Sequence, residues 1–184
     1  MSAAEPVELT AEVIARLDAE DAEREARLQS VDALAGAALW YARHSIAVFP
    51  LRRGAKVPRV GSRGFHDATT DLDVIRAWWQ AEPRSNIGIP TGHGFDVIDV
   101  DGPVGVKSWA RVIDDLPPVL GHVCTPRPGG NHLYVPATGR GNRAGILPGV
   151  DYRGRSGYVV APPSRSEVGI YRWIIPLDLA AVTR

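Results

Sequence analysis

Apolar positions recur every three to four residues early in the chain and every second residue later, so helices are expected first and strands after them. From Glu8 onward Leu9, Val13 and Leu17, and again Leu28, Val31 and Leu34, keep helical spacing, with Thr10 placed to cap the first turn. Residues 18–27 are almost wholly charged or alanine and have little to bury. They suit a solvated helix, a linker or a partner-binding arm alike. Residues 1–6 are expected to be disordered. An alanine-rich helix follows from 32 or 33 to 42 with Leu34, Leu39, Trp40 and Tyr41, then a short buried strand over 45–50 with Ile46, Val48 and Phe49. This division predicts an arm over 1–32 and a folded domain over 33–184.

Residues 51–69 are loop-like and basic, with Arg52, Arg53, Lys56, Arg59 and Arg63 among glycines and prolines; such a segment either faces solvent or grips an anion. His66 reads as a surface or satisfied histidine. Thr70 with Asp73 resembles a capping box for a helix carrying Ile75, Trp78 and Trp79 as core residues, closed by Pro83. Strands are expected over 86–92 and 95–100, joined as a hairpin through His93 and Gly94. Pro103 opens a helix with Val106, Trp109, Ile113 and Leu116 that ends at Pro117, with Lys107 a surface charge. Further strands are expected over 122–125, 132–135, 158–161 and 171–174, with His132 and Tyr134 on one face and a glycine-rich tract over 139–149. The order is that of an α+β domain with mostly antiparallel strands.

Composition narrows the class. With 184 residues and 45% hydrophobic content the chain can bury a core as one domain with an appendage. It holds no apolar run of membrane-spanning length and no basic-then-apolar start, so neither a membrane span nor a signal peptide is expected, and the simplest location is cytoplasmic. The one cysteine, Cys124, excludes an internal disulfide and a cysteine-rich zinc site. Net charge is zero, but residues 1–32 hold nine of the 21 acidic and three of the 21 basic residues, leaving 12 acidic and 18 basic in the remainder. Arginine supplies all basic residues except Lys56 and Lys107, and its planar fork suits phosphate. The surplus permits a phosphate-bearing partner.

The stretch with the most chemistry is Phe95-Asp96-Val97-Ile98-Asp99-Val100-Asp101. In a strand Val97, Asp99 and Asp101 share one face and Asp96, Ile98 and Val100 the other. Two carboxylates so aimed need a cation or donors between them; alternatively, the strand simply runs out into an Asx turn at Asp101-Gly102-Pro103. His132 after a Gly-Gly turn and Asp151 after the glycine-rich tract also sit where strands begin. Three carboxylates with little sulfur describe a Mg²⁺ or Mn²⁺ site that holds phosphates.

These residues resemble the archaeo-eukaryotic primase superfamily, in particular its bifunctional primase-polymerase (prim-pol) domains. The superfamily's acidic pair is matched by Val97-Ile98-Asp99-Val100-Asp101, its small-residue-x-His motif by Gly130-Asn131-His132, and its hydrophobic-acid motif by Val150-Asp151. The resemblance extends to Ala68-Thr69-Thr70-Asp71, Trp78-Trp79, Asn86 to Gly92 and Gly157 to Ser164, covering roughly residues 33–175. It implies a small N-terminal α/β part with a modified RNA-recognition-like sheet, and template-directed nucleotidyl transfer as a DNA primase/polymerase. Asp99, Asp101 and Asp151 would be metal-binding catalytic acids, and His132 a catalytic ligand of the incoming nucleotide's phosphate. Lys56 would be a basic residue near the site, and Arg153 and Ser164 candidates for nucleotide contacts. Single-stranded DNA template, primer and nucleoside triphosphates are the implied partners. The chain lacks cysteines for the zinc element frequent in such primases and has no room for the helical domain some need for initiation, so extension is a safer expectation, with a helicase or helical domain supplied in cis or in trans. Three other readings use the same acids: a DxD-type metal-dependent glycosyltransferase, which leaves His132 and Asp151 unexplained; a non-catalytic nucleic-acid-binding replication accessory, against which idle carboxylates would count as destabilising; and a nucleotide-dependent enzyme of the same superfamily that is not a polymerase.

Overall fold

The computed structural model describes Thr10, Ala15, Arg16, Ala19 and residues 31–112 and 117–182. The helical spacing through Leu9, Val13, Leu17 and Leu28, and the helix end at Ile113 and Leu116, fall outside the described residues. The alanine-rich segment forms α1 (Val31–Arg43), which buries Leu34, Ala38, Tyr41 and Ala42. It leads into β1 (Phe49–Leu51), fully buried. Helix α2 (Leu72–Ala81) buries Ile75 and Trp79, in keeping with a core role. Its cap differs from the expected Thr70: Asp71 is the N-cap, its carboxylate accepting from the backbone N–H groups of Asp73 and Val74 at 2.9 and 3.2 Å.

Strands β2 (Asn86–Thr91) and β3 (Phe95–Val100) occupy the expected segments, but they are not a hairpin. The strand β8 (Gly157–Ala161) joins β2, which also pairs with β1, in a three-stranded antiparallel sheet, whereas β3 is central in a six-stranded one. The turn between them is tight, with Gly92 N–H donating to Phe95 O at 2.9 Å. It is also a corner: Gly92 and Gly94 have φ of 92° and 78°, and a Cβ on Gly92 would stand 2.3 Å from Arg155 Cα. Both strands are almost wholly buried and so need partners on both edges, which separate sheets supply.

The larger sheet comprises β3 with β4 (Gly121–Cys124), β5 (Asn131–Pro136), β6 (Arg143–Leu147), β7 (Val150–Arg153) and β11 (Arg172–Ile175), in the order β11-β4-β5-β3-β7-β6 with every pairing antiparallel. Strand β6 lies within the glycine-rich tract, where no strand was expected; its exposed edge position left no apolar alternation to read. A small hairpin, β9 (Arg165–Ser166) with β10 (Gly169–Ile170), and the short α4 (Leu179–Val182) complete an α+β fold. One core joins both sheets to α1 and α2 through residues such as Tyr41, Leu51, Ile89, Val97, Tyr134 and Val159. The other face of the larger sheet buries Ile98, Val100, Val135 and Val150 against Trp109 of α3 (Gly102–Trp109). No helix among the described residues is long and apolar enough to cross a membrane.

Candidate active site

The alternation of β3 sorts the three acids of its stretch. Asp96, on the α3 side, is fully buried and accepts from Thr138 N–H at 2.7 Å, from Thr138 Oγ1 at 3.1 Å and from the Tyr152 hydroxyl. Burial first, and the bond to Asp96 second, push the Tyr152 phenol up. That carboxylate serves the fold. Asp99 faces the other way, and because β3 runs between β5 and β7 its register partners are His132 on one side and Asp151 on the other. Residues directly opposite in antiparallel strands share a face, so the three side chains converge.

Asp101 follows at the N-cap position of α3, yet its carboxylate makes no capping bond. Its backbone is held by Gly149, whose carbonyl accepts from Asp101 N–H at 2.8 Å, and its Oδ1 pairs with Arg127 Nη1 at 3.1 Å. The turn reading of Asp101 therefore does not account for its side chain. Arg127 stands on the turn before β5, closed by Gly130 N–H donating to Arg127 O at 2.8 Å. It was not among the expected site residues, although its place between Pro126 and Pro128 just before the histidine motif was a usable signal.

Arg153, two residues beyond Asp151 and so on the same face of β7, donates from one nitrogen, Nη2, to Asp151 Oδ2 at 2.8 Å and to Asp99 Oδ2 at 3.2 Å. The second Asp151 oxygen accepts from Gly145 N–H at 2.8 Å. His132 is buried, with Nε2 at 3.5 Å from Asp99 Oδ1 and no hydrogen-bond partner for Nδ1 among the described residues. Burial, reinforced by the charges of Lys56 and Arg153 and opposed by Asp101, pushes its imidazole down to about 3. The ring is therefore neutral near pH 7 and can donate one N–H.

These residues open on a cleft of about 240 Å³ lined by Lys56, Asp99, Asp101, His132 and Arg153, with Asn142, Tyr158 and Tyr171 among the further lining groups. The Tyr158 hydroxyl donates to Lys56 O at 3.0 Å, which ties the basic loop to β8 and brings Lys56 to the cleft. Asn142 accepts from Gly154 N–H at 3.0 Å and so braces the turn after β7. Tyr171, which no motif announced, has its ring centroid 5.8 Å from that of His132; burial and the nearby Asp99 and Asp101 push its phenol up to about 12. Ser164 is not brought to the cleft. It is fully buried, and its Oγ accepts from Ile87 N–H at 2.8 Å, linking the end of β8 to β2. Tyr134 is fully buried between Phe95 and Trp173, each with its ring centroid at 5.0 Å, and packs the sheet.

The donor chemistry of Asp99, Asp101 and Asp151, all hard oxygen, suits Mg²⁺ or Mn²⁺. Among the described residues no group of three or more His, Cys, Asp or Glu side chains is gathered as a ready-made metal site. The guanidinium of Arg153 occupies the position of a cation between two of the carboxylates, and the fit to a metal is thus one of charge and donor type.

Acids, a neutral histidine and basic side chains thus meet at the strand ends of an α+β domain of antiparallel sheets. Residues 38–182 match the Prim-Pol family, bifunctional DNA primase/polymerase, N-terminal, and the chain belongs to that family. Membership carries a nucleic-acid-related enzymatic role in general. No curated protein matches the chain.

Proposed function

We propose that the cleft carries out template-directed nucleotidyl transfer, extending or initiating a primer on single-stranded DNA from nucleoside triphosphates. The observation that carries this reading is the register of β3, by which Asp99 stands opposite both His132 and Asp151; Asp99 and His132 line the cleft with Lys56, Asp101 and Arg153, and Asp151 stands behind Arg153, to which it is bonded. Asp99, Asp101 and Asp151 would hold Mg²⁺ or Mn²⁺, which when bound would acidify the primer 3′-hydroxyl and neutralise the triphosphate. Neutral His132 donates an N–H to a phosphate oxygen as charge develops there. Lys56 and Arg153 offset the remaining phosphate charge, Arg153 as the planar donor. The six-stranded sheet serves as an RNA-recognition-like platform over which the template runs, residues 33–184 act as the catalytic domain, and a helicase or helical domain in cis or in trans assists initiation.

A second reading, a non-catalytic nucleic-acid-binding accessory, gains support from one observation. Because Arg127 and Arg153 already pair with the acids, an idle carboxylate cluster is not destabilising here as it would be alone. Extension of a labelled primer on single-stranded DNA decides between the two, with Mn²⁺ and Mg²⁺ in parallel, deoxy- and ribonucleotides separately, and Asp101→Asn as control. Template-dependent products that disappear in Asp101→Asn support the polymerase reading and reveal the sugar preference. Binding of template and nucleotide without extension under every condition supports the accessory.

A further inference from the structure

A second cavity, of about 570 Å³, lies beside the catalytic cleft and is more than twice its volume of about 240 Å³. Its size falls within the range of about 300–1,000 Å³ usual for ligand sites. The wall between the two is the turn from Gly154 to Gly157, closed by Gly157 N–H donating to Gly154 O at 3.0 Å, and Ser156 of that turn lines both spaces. Ser156 has a φ of 65°, in the left-handed region that a non-glycine residue seldom adopts. The turn is held in place by Thr91 Oγ1 donating to Gly154 O at 2.7 Å and by Asn142.

The lining has a chemical bias. Phe65, His66, His93 and Arg155 contribute aromatic faces and cationic or N–H donors, and no Asp or Glu among the described residues lines the cavity. The aromatic surface is continuous with the catalytic cleft. Tyr158, in the cleft, lies near-parallel to Phe65 with centroids 6.5 Å apart and an interplanar angle of 29°, and Phe65 in turn lies 4.1 Å from His66 at 36°. A ligand that matches this lining has a flat apolar face and a negative charge. Paired and stacked bases of a duplex cannot offer that face to a side chain, whereas an unpaired nucleotide can.

We infer that the cavity walled by Phe65, His66 and Arg155 holds a nucleotide of the single-stranded template, next to the position served by the catalytic cleft, its base on the aromatic face and its phosphate on Arg155. This rests on the polymerase reading and extends it by naming where the strand leaves the cleft. The row Tyr158, Phe65, His66 is its track. By sequence His66 reads as a surface or satisfied histidine of the basic loop, and nothing singles out Phe65.

The test uses the full chain and a fluorescein-labelled oligothymidylate, with anisotropy read over a salt series. Arg155 and His66 are exposed, so Arg155→Glu and His66→Ala are expected to fold, and Phe65→Leu keeps apolar bulk while removing the π-face. Arg155→Glu is expected to weaken oligomer binding about ten-fold or more and to lower the salt slope by about 0.7, the share of one phosphate. Phe65→Leu is expected to weaken it about five-fold or more, the lower end of one lost base stack. In a parallel arm an oligomer carrying 4-thiothymidine is photo-crosslinked and mapped by mass spectrometry; the tryptic peptide 64–76 should carry the label. Wild-type affinity in all three variants, or crosslinks only outside that peptide, overturns the inference; if the wild-type chain still extends primers, the polymerase reading survives that result. A wild-type chain that binds no oligomer and extends nothing removes both. If thymidine monophosphate is retained by wild type and lost in Arg155→Glu while oligomer binding is unmoved, the occupant is a mononucleotide and the template assignment is wrong.

Discussion

Replacing Arg153 by methionine keeps much of the aliphatic stem and removes the cation that bonds both Asp99 and Asp151. The side chains of Arg153, Asp99 and Asp151 are 34%, 12% and 27% exposed, so the site lies between the surface and buried limits. Exposed pairs contribute about 0–1 kcal/mol, whereas removing one partner of a buried pair costs about 3–5 kcal/mol. The two carboxylates are also register partners, and like charges directly opposite repel. A loss of about 2–3 kcal/mol follows, which for a chain of this size lowers Tm by roughly 4–12 °C. The assay is a melt followed by circular dichroism in EDTA and then with increasing Mn²⁺. A cation that binds the folded state at about 100 times its Kd returns about 2.7 kcal/mol, so Mn²⁺ should restore most of the deficit in Arg153→Met. Wild type should gain less, because there the ion competes with the guanidinium. A variant that melts within a degree of wild type in EDTA, or equal Mn²⁺ stabilisation of both proteins, would refute the view of Arg153 as a stand-in cation.

Gly105→Ala should cost about 2–3 kcal/mol in urea unfolding, because its Cβ would stand 2.3 Å from Gly149 O, a backbone atom that also anchors Asp101; an unchanged midpoint would contradict that packing. Tyr41→Phe should lose about 1–3 kcal/mol, since the hydroxyl donates to Pro162 O at 2.9 Å and accepts from Trp173 Nε1 at 3.0 Å, and both partners would be left unpaired. Tyr134→Phe should be neutral or stabilising by up to about 1 kcal/mol, because that buried hydroxyl has no partner among the described residues, and the same unfolding measurement checks it. Burial pushes the phenols of Tyr41 and Tyr134 up. Above pH ~10 the unfolded chain therefore releases protons that the folded chain retains, and stability must fall as pH rises from there. Tyrosinate absorbance from these two residues should appear only together with unfolding; its appearance in the folded protein would count against their burial.

Much of the site could be read from alternation alone. A period of two along 95–101 separates Asp96 from Asp99, and the structure keeps that separation, with Asp96 spent on Thr138 and Tyr152 and Asp99 turned to the cleft. The glycine-proline turn before His132, the helix with Trp79 on its buried side and the α+β order were equally open to reading, because each depends on neighbours within a few residues. The hairpin between β2 and β3 failed for the opposite reason. A short connection fixes that two strands are close, but which sheet each enters depends on the edges offered by β1, β8, β5 and β7, all distant in sequence. The same holds for Lys56, delivered by a bond from Tyr158, for the buried bracing role of Ser164, and for Arg153, whose two carboxylate partners meet only once β7 has aligned with β3. Local side-chain direction is set by the chain's own geometry. The meeting of Asp99, His132 and Asp151 is set by register between strands, a choice made by burying both faces of the larger sheet at once and therefore available only to the folded whole.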